Sequence, residues 1–254
     1  MGSRLPPKLN LDSVPKMQSP NRREVLEAAT MMALVTQGGL AMAESNAPAG
    51  VPTTRTLKPL SFDPTRLPGL SERLLVSHHE NNYGGALKNL NRVTADLAQV
   101  TKDSPPYLVA ALRERELTFG NSVILHELYF DNLGGSGDPG PELAAAITHS
   151  FGGVARWEEL FRATGLGLGG GSGWAVLAWD FHAGGLVIRG SGHHTQALAF
   201  GAPLLVLDMY EHAYHLDYGA AAAKYLEAFF RNVRWEVVEA RLQRARRADA
   251  LLRG

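Results

Sequence analysis

Pro203-Leu-Leu-Val-Leu-Asp208 is an apolar stretch of strand length that ends in a carboxylate, and His212 follows four residues later among Tyr210, Glu211 and Tyr214. An apolar run bounded by turn signals reads as a buried strand. A carboxylate at its end is costly to bury unless something positive meets it. A metal ion satisfies an Asp and a nearby His together. The competing reading is an Asp that caps a short helix whose first-turn His packs in the core. Both stay open on this stretch alone.

Nine histidines occur, at 78, 79, 126, 149, 182, 193, 194, 212 and 215, and there is no cysteine. The missing cysteine excludes disulfides, thiolate metal sites and thiol nucleophiles, so any metal is held by imidazole and carboxylate, which suits iron, manganese or zinc. His78 and His126 each lie on an apolar stretch, where a lone His is more often a core residue than a ligand; two of them on facing helices, with Asp208 and His212, weigh toward ligation. No H-E-x-x-H occurs, no Glu stands three residues before any His, and no G-x-S-x-G occurs. Zincin, di-iron-bundle and α/β-hydrolase chemistry are thereby disfavoured. A dispersed set of three His and one Asp remains, which suits redox chemistry at a mononuclear iron or manganese site with an open position.

The elements that must position these residues are legible in outline. Ser71 is a candidate N-cap for a long amphipathic helix with apolar residues at 74, 75, 86, 87, 90 and 93, weakened at Gly84-Gly85. A second helix is predicted from about Tyr107 to Leu133, stopping at Gly134-Gly135, so the pair forms an antiparallel hairpin. Short helices follow at Pro141–Ser150 and Ala155–Thr164. The glycine run Gly165–Gly173 lacks a Walker lysine and opens a strand, so close backbone packing is preferred to phosphate binding. Trp174–Trp179 and Leu186–Arg189 read as a hairpin, Leu204–Leu207 as a third strand, and Ala220–Phe230 and Val233–Leu251 as covering helices. From Arg241 onward the last helix is expected to be a charged, solvated end. The fold class is α+β: an N-terminal antiparallel helical hairpin, residues 61–135, then an α/β domain, residues 136–254, with a small three-stranded antiparallel sheet covered by helices.

The formal net charge is zero, which gives no basic patch for nucleic acid, and no apolar run reaches membrane-spanning length. Residues 1–43 have the layout of an export signal: Arg22-Arg23, a small-residue apolar run from Ala28, and Ala41-Met42-Ala43 as a cleavage site. Paired arginines before the apolar run are of the twin-arginine type, although Glu24 and Glu27 depart from it. The expectation is export to the periplasm, or a cytoplasmic protein if the signal is not functional. Residues 44–60, with Pro48, Pro52 and Pro59, read as a linker.

Four patches together resemble the iron/manganese superoxide dismutase family. Asp208-Met-Tyr-Glu-His212-Ala-Tyr214 is similar to its D-x-W-E-H-A-Y motif, and the likeness continues through Asp217-Tyr218, Tyr225, Phe229 and Asn232-Val-Arg-Trp235. Gly171-Ser-Gly-Trp174 is similar to its G-S-G-W strand opening. Asn121-Ser-Val-Ile-Leu-His126-Glu-Leu-Tyr-Phe130 resembles the second-helix ligand segment, and Leu74-Leu-Val-Ser-His78 with Asn89-Leu-Asn91 the first; Pro59-Leu-Ser-Phe-Asp-Pro64 resembles the extended lead-in. The resemblance covers about residues 57 to 240.

The resemblance implies a superoxide dismutase with one iron or manganese ion per subunit on His78, His126, Asp208 and His212, His78 being chosen over His79 by its spacing to Asn89-Leu-Asn91. It implies that Asp208 and His194 act on a metal-bound solvent molecule, that Trp174 walls the pocket, and that Glu211 reaches across a homodimer to the partner's metal-binding His. Tyr214 belongs to the same motif, and pairing of dimers into tetramers is left open. The sequence departs from the family at Tyr210, where a tryptophan is usual, and at Asn82 and Ala86, where a gateway His and Tyr are usual; Tyr83 is a candidate substitute. Of the two places for an outer glutamine, one is Ser122 and the other His194. The alternative functions are a slow or non-catalytic metal-binding relative on the same fold and, further off, a zinc hydrolase.

Overall fold

The structure is a computed structural model and describes residues 54–254 apart from 197 and 198. The signal-like segment 1–43 and the first part of the linker lie outside the described residues. The described residues belong to one compact unit.

Helix α1 (Glu72–Ser77) starts where the sequence places it, because the Ser71 hydroxyl accepts the Leu74 N–H. It runs without a break through a π-helical turn, His78–Tyr83, into α2 (Gly84–Ala98). The irregularity therefore precedes Gly84-Gly85, which are themselves helical. A π turn joins residues five apart rather than four. Both its ends, His78 and Tyr83, face inward with 1% exposure each. Helix α3 (Pro106–Asp131) returns antiparallel, with Pro106 in its first turn, where a missing N–H costs nothing. The lead-in residues are pinned to this hairpin: Asn91 exchanges two hydrogen bonds with the Arg55 main chain, and His79 Nε2 and the Tyr83 hydroxyl bond the Lys58 main chain.

Helices α4 (Pro141–Phe151) and α5 (Val154–Leu166) precede the sheet. Its strands are β1 (Trp174–Asp180), β2 (Gly185–Ser191) and β3 (Gly201–Asp208), in the order β2-β1-β3 and all antiparallel. Every residue of β1 is buried, as a central strand covered on both faces requires. The glycine run serves close packing. A Cβ at Gly173 would lie 2.4 Å from the Ser191 carbonyl oxygen, at a φ of +152° that side chains rarely adopt, and one at Gly165 would lie 2.9 Å from Leu207. The chain closes with a 3-10 turn (Glu211–Ala213) and helices α6 (His215–Tyr218), α7 (Ala222–Arg231) and α8 (Trp235–Arg253).

The expected solvated end of α8 is corrected. Arg241 is only 6% exposed, and Leu242, Ala245 and Asp249 are buried too. The Arg241 guanidinium enters the core because it finds four acceptors there, at Leu204 O, Leu128 O, Asn132 Oδ1 and Asp131 Oδ2. An arginine can be buried where its fork of donors is filled.

Candidate metal centre

Four side chains from four places meet between the hairpin and the sheet. His78 comes from the π turn, His126 from near the C-terminal end of α3, Asp208 from the last residue of β3 and His212 from the 3-10 turn. One ligand-capable atom from each lies within 4.8 Å of the other three. The Nε2 atoms of His78, His212 and His126 stand 3.1, 3.2 and 3.6 Å from a single oxygen, Asp208 Oδ2. Donors each about 2.1 Å from one ion lie roughly 3–4 Å apart, so this is the spacing that ligation needs.

Neighbouring groups fix how each member presents itself. Asp208 Oδ1 accepts the Tyr210 N–H at 2.8 Å, which leaves only Oδ2 facing the imidazoles. The Oδ1 bond closes a turn two residues long and does not cap the 3-10 turn, whose N-cap is Tyr210 and which has no side-chain cap bond. The Asp208 main-chain carbonyl accepts the Tyr225 hydroxyl at 2.9 Å, and Met209 N–H donates to Gly173 O. His126 Nδ1 donates to the Ser122 carbonyl at 2.7 Å, so its proton sits there and Nε2 carries the lone pair. That Nε2 is buried and has no hydrogen-bond partner, nor has His78 Nδ1. An orphaned, buried imidazole lone pair aimed at two further imidazoles and a carboxylate fits a cation. The donor set of nitrogen and oxygen without sulfur fits iron, manganese or zinc.

The electrostatics agree. Burial, with His78 beside it, pushes the His126 imidazole down to about 3, and burial also lowers His78 despite Asp208 alongside. Burial pushes Asp208 up, but His212 and His78 outweigh it and hold the carboxyl well below its usual range. Neutral His78 and His126 beside an ionised Asp208 are the protonation states a metal site requires.

Trp174 pairs with Asp208 across the sheet and sets its edge on His126, with ring centres 5.0 Å apart. Its indole N–H donates to His194 Nδ1 at 3.0 Å, which leaves Nε2 of His194 to carry the proton. Burial lowers the His194 imidazole. His194, Tyr210 and His212 form a stacked ladder with centre separations of 4.9 and 5.4 Å. The His212 side chain is 25% exposed while the other three members of the cluster are at 2% or less, so the cluster opens to solvent along this ladder. Tyr83 stacks behind His126 with its hydroxyl bonded to Glu127 and the Lys58 N–H, and does not line the open side. Asn82 is half-buried in the π turn, Tyr214 is buried against Tyr225, and Glu211 is exposed beside His212. His79 packs against Phe130 and bonds Lys58 O, outside the cluster.

The family model described as iron/manganese superoxide dismutases, C-terminal domain, matches residues 139–241, a span that includes Asp208 and His212. A protein of Cupriavidus metallidurans named superoxide dismutase (Fe) is 49% identical over 181 residues, covering 71% of this chain and 92% of that protein. The chain belongs to the iron/manganese superoxide dismutase family. Other relatives in the family differ in the metal they are named for. Aquifex aeolicus superoxide dismutase (Fe) is 34% identical, covering 75% of this chain and 92% of its own length, and Haloferax volcanii superoxide dismutase (Mn) 2 is 32% identical, covering 74% and 96%.

Two residues of the segment that resembles the family's second helix shape the site without having been singled out as site residues. Tyr129 lies against the His78 ring at 5.1 Å and shares a hydroxyl contact of 3.1 Å with Tyr225. Phe130 packs on His78 from another side. Apart from that resemblance, Phe130 carries a signal in its spacing: Ser122, His126 and Phe130 recur every four residues on one face of α3.

Proposed function

We propose that His78, His126, Asp208 and His212 hold one iron or manganese ion and that this chain is a superoxide dismutase. The observation that carries the reading is the convergence of three imidazole Nε2 atoms on one carboxylate oxygen in a chain of this family. When bound, the ion supplies one-electron redox chemistry, by which one superoxide is oxidised to dioxygen and the next is reduced, with two protons, to hydrogen peroxide. The chain's own residues do the rest. Ser122 O and Tyr210 N–H hold His126 and Asp208 in single orientations, so little reorganisation accompanies binding. Trp174, Tyr129 and Phe130 keep water from three sides. Along the open side, His194 presents a ring N–H next to the Tyr210–His212 stack, which suits it to orient an anion or solvent molecule and to relay a proton.

The test is metal analysis of native protein with a superoxide assay. The expected result is one iron or manganese per chain and turnover that His126→Ala abolishes; metal-free native protein, or activity indifferent to that change, overturns the reading. Asn82, Ala86 and Ser122 stand where bulkier polar groups are usual, and they favour a slow relative as the second reading. Stoichiometric metal without dismutation would support it.

A homodimer is supported by exposed Glu211 beside His212, whose ring makes no hydrogen bond beyond Asp208 among the described residues. Sedimentation of wild type and Glu211→Ala tests it, with a wild-type monomer as the contrary result. Export is supported by the layout of residues 1–43. A mature N-terminus that retains Arg22-Arg23 would refute it.

A further inference from the structure

Strand β3 is an edge strand, paired with β1 on one side only. An edge leaves alternate main-chain groups without a ladder partner. Here side chains close that edge one after another. Arg241 Nη1 donates to Leu204 O at 2.8 Å. Asn132 works as a surrogate strand: its Oδ1 accepts the Val206 N–H at 3.0 Å and its Nδ2 donates to Val206 O at 3.3 Å. Two residues further on, the strand ends at Asp208.

Asn132 is also the C-cap of α3, six residues past His126. Its backbone N–H bonds Leu128 O and its Nδ2 bonds Tyr129 O. One fully buried amide therefore ties the helix that carries His126 to the strand that carries Asp208. Arg241 locks the tie from α8, reaching Asn132 Oδ1 at 3.4 Å and Leu128 O at 3.1 Å as well as the strand. An amide whose four bonding directions are filled has one orientation and leaves little room for the strand to slide.

We infer that Asn132 and Arg241 are positioning residues for the metal centre, holding the free edge of the Asp208 strand in fixed register with the His126 helix. The inference rests on the metal-centre reading above. Neither residue touches the ligand atoms, so their effect is on where Asp208 Oδ2 stands relative to His126 Nε2. Outer partners of metal ligands are worth about 10–100-fold in metal affinity.

The experiment is a titration of the metal-free full-length protein with Co2+, followed by visible absorption, for wild type, Asn132→Ala, Arg241→Gln and Arg241→Lys. Asp131→Asn serves as the control, since it changes a half-exposed carboxylate shared by Arg241 and Arg234 and leaves Asn132 and the strand-edge bonds of Arg241 in place. Wild type and control are expected to take up one Co2+ per chain with the same spectrum. Asn132→Ala and Arg241→Gln are expected to bind at least tenfold more weakly with a shifted absorption envelope while keeping a native far-ultraviolet spectrum. Arg241→Lys, which keeps the cation and loses the fork, falls between, and it decides alone if the harsher variants do not fold. Variants that lose thermal stability but keep the wild-type Co2+ affinity and spectrum overturn the inference and leave the metal centre standing. A wild type that takes up no Co2+ overturns both.

Discussion

Metal-free protein should lose stability between pH 7 and pH 5, before its carboxylates titrate. His126 sits at about 3 in the folded chain because burial and His78 oppose its protonation, whereas an unfolded His titrates near 6.5. A folded value below the unfolded one means that the unfolded chain takes up the proton first. The contribution is complete above about pH 6.5 and declines as pH falls toward 3. Each pH unit in that window removes about 1.4 kcal/mol, so His126 alone costs about 2 kcal/mol at pH 5. His78 is lowered for the same reason and adds in the same direction. Asp208 is also held low, but its contribution is lost only below the ordinary carboxyl range near 4, so it is silent here. Urea unfolding of chelator-treated protein at pH 7, 6 and 5, followed by the fluorescence of buried Trp157 and Trp174, measures the slope. His126→Gln should flatten it by that residue's share. A free energy that stays constant or rises from pH 7 to pH 5 would refute the reasoning, because it would mean that the cluster accepts protons as readily as water-exposed histidine does.

Tyr225→Phe leaves Asp208 O without its donor in a fully buried site and should cost about 1–3 kcal/mol in urea unfolding. Gly85→Ala should stabilise by up to about 1 kcal/mol, since a Cβ there meets nothing within 4 Å and the residue lies in α2. Gly135→Ala should instead prevent normal folding or lower the melting temperature sharply, because its Cβ would lie 2.4 Å from Arg234 Cα. Co2+ at a hundredfold excess over its dissociation constant should raise the unfolding free energy of the metal-free protein by about 2.7 kcal/mol, and equal midpoints with and without metal would count against a site present only in the folded state.

Whatever is local in this chain could be read directly. Ser71 as N-cap, the hairpin around His182-Ala-Gly-Gly and the apolar run into Asp208 all follow from residues within a few positions of one another. The choice of His78 over His79 rested on the resemblance, and the two rings do diverge, one to Asp208 and the other to the Lys58 main chain. The π turn was not legible, because no residue pattern distinguishes it from a helix with two glycines to follow. Arg241 was misread for a related reason. In a run of arginines, only an acceptor elsewhere in the chain tells which one is buried, and its partners lie 37 to 113 residues away.

By itself the sequence determined the kinds of donor available, imidazole and carboxylate with no thiolate, and the four-residue separation that keeps His212 close to the strand end at Asp208. The tertiary structure alone decided that His78, 130 residues before Asp208, comes to 3.1 Å from its carboxylate, and which ring nitrogen of His126 is left bare. The physical reason is that dihedral preferences and hydrophobic periodicity act over one or two turns of chain. Distances between elements are set instead by how buried faces pack and by buried polar groups such as Asn132, which must find partners wherever the fold brings them.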